Sequence, residues 1–183
     1  MASDALVNQL VTLMQTQEPE AALVELEKAA QNEGAADPRV LLLLAGQYAS
    51  LGRMDAAEAS YASLLQIAPA FAIARFQLGL LQFTSGRPAV AMVSWAPLEQ
   101  LPQEHYLRSF VQGFWHLARD EFEEARMQLL EGMARNDENL PLNGDMRMVL
   151  DNIEALRPQN MQEAVQDDAG SNHVLLSGYT RLH

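Results

Sequence analysis

What most limits the folds open to this chain is a sequence period of 34 residues between Pro38 and Asn139. Ala57, Ala91 and Ala125 fall on one column of it, and Ala45, Gly79 and Gly113 on a second. Gly52, Gly86 and Asp120 form a third column, and Tyr61, Trp95 and Leu129 a fourth. Four columns with one step mark an internal repeat. A repeat of this length is a supersecondary unit that buries its apolar face only by stacking on a neighbour.

Each period holds two apolar segments of helical length, separated by a break. The breaks are Leu51-Gly52-Arg53, Ser85-Gly86-Arg87-Pro88 and Arg119-Asp120. Glycine just past a helix supplies the left-handed residue that closes it, and proline at the head of the next helix costs no hydrogen bond. Asp120 followed by Glu123 predicts a capping box opening the last second helix. The Ala and Gly columns predict close helix crossings, where a larger side chain would force the axes apart. Pro97, inside the second helix of the middle copy, predicts that this helix is shortened or kinked.

The pattern resembles the tetratricopeptide repeat family. That family has Gly or Ala at its eighth position, Ala at its twentieth, an aromatic residue at its twenty-fourth and a closing Pro. Here those features fall on Gly79 and Gly113, on Ala57, Ala91 and Ala125, on Tyr61 and Trp95, and on Pro69 and Pro102. The family's large fourth residue is Leu41, then Arg75, then Ser109, and its small twenty-seventh is Leu64, Leu98 and Gly132, so the match is incomplete there. The resemblance implies an all-α, right-handed α-solenoid of antiparallel helix pairs that serves as a general protein-binding scaffold.

Around the three repeats, assigned to residues 37–139, the flanks read as follows. Residues 1–36 form a degenerate helix pair, in which Ala22 precedes Ala57 by 35 residues. Residues 140–157 form an amphipathic helix that caps the last apolar face, stopped by Arg157-Pro158. Residues 158–183 are a polar linker and an apolar tail. In the tail, Val174, Leu175, Leu176, Tyr179 and Leu182 are either a frayed end or a short docking segment, acting in cis or on a neighbouring subunit.

In such an array the first helices line the hollow side. The inward stripe is Ile73, Phe76, Leu80 and Phe83 in the middle copy, and Leu107, Phe110, Phe114 and Leu117 in the third. Four of the six phenylalanines stand on these two stripes. They are either core, covered by the N-terminal pair or the tail, or a groove for a partner's amphipathic helix or apolar segment. Arg75 and Arg108 are candidate rim residues, or else members of ordinary surface ion pairs.

Composition narrows the function further. The net charge is −12, from 24 acidic and 12 basic residues. Such a surface repels phosphate backbones and anionic lipid, so no nucleic-acid partner is expected. There are no cysteines, hence no disulfide and no thiol chemistry. No apolar run approaches the length of a membrane span, and the first residues lack the basic and apolar regions of a signal peptide; a cytoplasmic setting is expected. The four histidines, His105, His116, His173 and His183, are scattered, and no nucleophile, phosphate loop or metal spacing accompanies them. No catalytic residue, cofactor or metal is assigned. The expected function is a non-enzymatic adaptor or small chaperone that holds an apolar peptide or helix of another protein. The alternative is a structural subunit that self-associates through its tail.

Overall fold

The computed structural model describes residues 2–32 and 37–163, with side-chain surroundings for 4–32 and 37–155. The described residues are helices joined by short turns, without a strand among them. They group into two compact units divided between Gln82 and Phe83. The apolar tail residues Val174, Leu175, Leu176, Tyr179 and Leu182 lie outside the described residues.

The first unit contains α1 (Ala2–Thr16), α2 (Pro19–Gln31), α3 (Pro38–Ser50), α4 (Met54–Ile67) and most of α5 (Ala72–Thr84). Proline opens both α2 and α3, where its missing N–H leaves nothing unsatisfied. The Asp37 side chain caps α3, accepting from the Arg39 backbone N–H at 2.9 Å. One apolar cluster joins Leu10 of α1, Leu23 and Leu26 of α2, and Val40 and Leu44 of α3. A second joins Ala45 of α3, Ala57, Tyr61 and Leu64 of α4, and Ala74, Leu78 and Leu81 of α5. Polar ties run between the same elements. The Tyr48 hydroxyl donates to Glu27 Oε1 at 2.6 Å, and Gln47 Nε2 to the Pro19 carbonyl at 2.8 Å. Gln82 Nε2 donates to Glu58 Oε1 at 2.9 Å.

The second unit contains α6 (Pro88–Trp95), a 3-10 segment Ala96–Gln100, α7 (Tyr106–Leu117), α8 (Phe122–Arg135) and α9 (Leu140–Glu163). Pro97 acts as expected. Without its N–H the α-helical ladder stops at Trp95, and the chain continues in the tighter 3-10 form. Helices α7 and α8 are antiparallel. A Cβ on Gly113, late in α7, would lie 2.8 Å from Leu129 and 3.3 Å from the Ala125 carbonyl, whereas one on Gly132, late in α8, would lie 2.5 Å from the Phe110 ring and 3.1 Å from the Tyr106 carbonyl. The buried amide of Asn136 then ties the α8–α9 turn. It donates to the Asn139 carbonyl and to Asn143 Oδ1, each at 2.7 Å, and accepts from the Asn139 N–H at 2.9 Å.

Two local expectations are corrected. Asp120 is not a cap: Glu121 occupies the N-cap of α8 and makes no side-chain cap bond. Asp120 instead has φ 58°, the left-handed conformation that Gly52 (72°) and Gly86 (76°) adopt at the same place in the earlier copies. The column is one of turn geometry, and Asp is among the few side chains that tolerate it. The second correction concerns α9, which does not stop at Arg157 but continues through Pro158 to Glu163. Proline forfeits one hydrogen bond to the residue four before it, a cost of about 3 kcal/mol that helical neighbours on both sides can offset.

Candidate functional site

The two phenylalanine stripes come first, because the sequence singled them out. Phe76 is fully buried and Phe83 is 4% exposed on α5, while Ile73 and Leu80 are half-buried. On α7, Leu107, Phe110, Phe114 and Leu117 are all buried. Of the two readings of these rings, packing holds for Phe76, Phe83 and the whole α7 stripe, and an open groove lined by them is corrected. For Phe110 the reason is a glycine on the facing helix. Gly132 carries no Cβ, so the Phe110 ring lies against the α8 backbone instead of projecting into a hollow. Phe114 meets Trp95 with ring centroids 5.1 Å apart and Phe83, edge-on, also at 5.1 Å. Rings of this size contribute most when wholly removed from water.

The candidate rim arginines are held by backbone. Arg75 Nη2 donates to the Pro69 carbonyl at 2.9 Å, and Arg108 Nη1 to the Leu101 carbonyl at 3.0 Å. His105 caps α7, its Nδ1 accepting from the Leu107 N–H at 3.2 Å. Among the described residues, no group of three His, Asp or Glu could hold a metal ion. None of their helices is long and apolar enough to cross a membrane.

The open feature of the second unit lies on the neighbouring face of the same helix. Gln112, Trp115, His116 and Arg119 recur at i, i+3, i+4 and i+7, and so share one side of α7 and its closing turn. With Glu99 from the 3-10 segment they line an open hollow of about 380 Å³. Glu121 contacts two of these lining residues: its Oε2 meets His116 Nδ1 at 2.6 Å and Arg119 Nε at 3.3 Å. The contact with His116, then the Arg119 charge, holds the Glu121 carboxyl below its ordinary 4.5. The Trp115 ring is half-buried, and its indole N–H is closed off from solvent without an acceptor.

The repeat explains why this place is open. Stepping back 34 residues from Glu99, Gln112, Trp115, His116 and Arg119 gives Leu65, Leu78, Leu81, Gln82 and Ser85. In the first unit Leu78 and Leu81 are buried in the cluster of α3, α4 and α5, and Leu65 packs against it. A sealed apolar contact in one copy is therefore a polar, aromatic and open one in the next. Two changes produce the difference. The side chains become polar, and Pro97 ends α6 at Trp95, where α4 runs on to Ile67. Sequence reasoning missed this site because it followed the columns that repeat. The signal was three columns that fail to repeat, passing from Leu65, Leu78 and Leu81 to Glu99, Gln112 and Trp115.

No protein-family model matches the chain, and no curated protein sequence does. Among solved structures, the fold is similar to that titled MamA 41-end from Desulfovibrio magneticus RS-1, with a TM-score of 0.58 and 14% sequence identity. The match covers 91% of this chain and 97% of that one. At this identity the likeness speaks to fold. The chain has an all-α, tetratricopeptide-like fold of adjacent helix pairs.

Proposed function

We propose that this chain is a non-enzymatic, cytoplasmic adaptor or small chaperone, and that it holds a segment of another polypeptide at the α7 hollow. The observation that carries the reading is the hollow itself. Helix-pair repeats close their equivalent faces against one another, and here one such face presents Gln112, Trp115 and Arg119 to solvent beside Glu99. Aromatic and arginine side chains at a concave spot are the residue types that dominate protein interfaces. Arg108, which keeps partial exposure in the same unit, stays in the proposal as a secondary contact; Ile73, Leu80 and Arg75, partly exposed in the first unit, stay in it as a separate contact surface. Phe83, Leu107, Phe110, Phe114 and Leu117 are buried within the same unit, and Phe76 within the first, so none of them touches the partner in this reading.

The test is site-specific photocrosslinking in the native host. Benzoylphenylalanine replaces Gln112 in one variant and Ala62, exposed on α4, in a control. A heterologous adduct at position 112, absent from the control and lost on adding Trp115→Ala, is the expected result. Adducts only between copies of this chain would favour the self-associating subunit. No adduct at position 112 would refute the docking site.

A further inference from the structure

The geometry points to a basic side chain, arginine or lysine of a polypeptide partner, as the group that enters the α7 hollow; this rests on the adaptor reading above. The charges around the hollow carry the argument. Arg119 and His116 both meet the same carboxylate oxygen of Glu121, at 3.3 Å and 2.6 Å. The formal charge of Arg119 is thereby offset by that of Glu121, although the Arg119 side chain stays 54% exposed. Glu99, an exposed lining residue, has no ion-pair or hydrogen-bond partner among the described residues. The unsatisfied charge at the hollow is thus anionic, on a chain whose net charge is −12.

The Trp115 ring, partly open to solvent, lines the same hollow as that carboxylate. Indole is the most effective aromatic face for a cation, and a guanidinium can stack on it while reaching a carboxylate. An acidic segment would meet the reverse: an unpaired Glu99, an Arg119 already paired, and long-range repulsion from the whole surface. A purely apolar segment would bury Glu99 and Gln112 without partners. Of the three segment types, the basic one leaves no lining group worse off than water does.

Tryptophan emission tests the inference directly. Trp95 is fully buried and Trp115 is not, so a ligand-induced change reports the hollow. The intact chain is titrated with blocked tetrapeptides that differ at one position, carrying Arg, Lys, Glu or Leu, and separately with guanidinium chloride at matched ionic strength. Saturable changes with the Arg and Lys peptides, weakened about fivefold by Glu99→Gln, are expected. Equal binding by free guanidinium would overturn a polypeptide source and assign the site to small cations. Preference for the Glu or Leu peptide, or indifference to Glu99→Gln, would overturn the basic class while leaving the adaptor reading in place. Silence from every peptide would overturn the inference, and the crosslink at position 112 would still decide the adaptor reading by itself.

Discussion

Replacing Gly132 by Ala tests the packing on which the site rests. The added Cβ would lie 2.5 Å from both Cδ1 and Cε1 of Phe110 and 3.1 Å from the Tyr106 carbonyl oxygen. Neither neighbour yields easily. Phe110 is fully buried, with its ring edge-on to Tyr106 at 5.8 Å, and the oxygen belongs to the α7 backbone. Helices α7 and α8 must therefore move apart. Overpacking of this kind costs about 1–3 kcal/mol, and a contact this short places Gly132→Ala at the upper end. Against this, alanine favours a helix interior by about 1 kcal/mol over glycine. A net loss of about 2 kcal/mol follows, equivalent to a fall of roughly 4–8 °C in the thermal midpoint for a chain of this size. Urea and thermal unfolding followed by circular dichroism would measure it. Gly46→Ala in α3 is the matched reference: nothing lies within 4 Å of its added Cβ, so it should gain about 1 kcal/mol. If Gly132→Ala unfolds with or after the parent chain, the close α7–α8 approach is wrong. The explanation for the buried phenylalanines would then be wrong too.

Other perturbations probe separate parts of the argument. Gly86→Ala meets no atom within 4 Å, yet φ is 76°, so it should cost about 1–2 kcal/mol through backbone strain alone, read from the urea midpoint. Pro97→Ala restores a backbone donor and should let α6 continue past Trp95. Cα chemical shifts at residues 96–100 moving to α-helical values would show it, and unchanged shifts would contradict the role given to Pro97. Glu121 has a folded pKa below its ordinary 4.5 because His116 and Arg119 contact it. A depressed carboxylate contributes stability that is present above that ordinary value and is lost as pH falls through the folded one. Glu121→Gln should accordingly flatten the pH dependence of the urea midpoint in that acid range, and an unaltered acid limb would contradict the contact.

The sequence by itself determined most of the features that depend on residues close along the chain. The 34-residue columns placed the helix pairs, Gly52 and Gly86 placed the left-handed turns, and Pro97 ended α6. Each of these follows from local backbone sterics and hydrogen bonding, which a short stretch of sequence carries within it. Asp120 and Pro158 show the same rules read one step too literally. The left-handed place passed to a residue that only tolerates it, and a helix outlasted the loss of one bond.

Which side of α7 faces its neighbours was decided by tertiary structure. The stripe of Phe110, Phe114 and Leu117 and the stripe of Gln112, Trp115 and Arg119 differ by a partial rotation about one helix axis, since successive residues are about 100° apart. Both are plausible outward faces to anyone reading α7 alone. The choice was made by an absent atom on another helix, the missing Cβ of Gly132, which lets Phe110 lie against α8. The open hollow follows from that choice and from the early end of α6. It joins residues 99 and 119, whose proximity no local rule along the chain expresses.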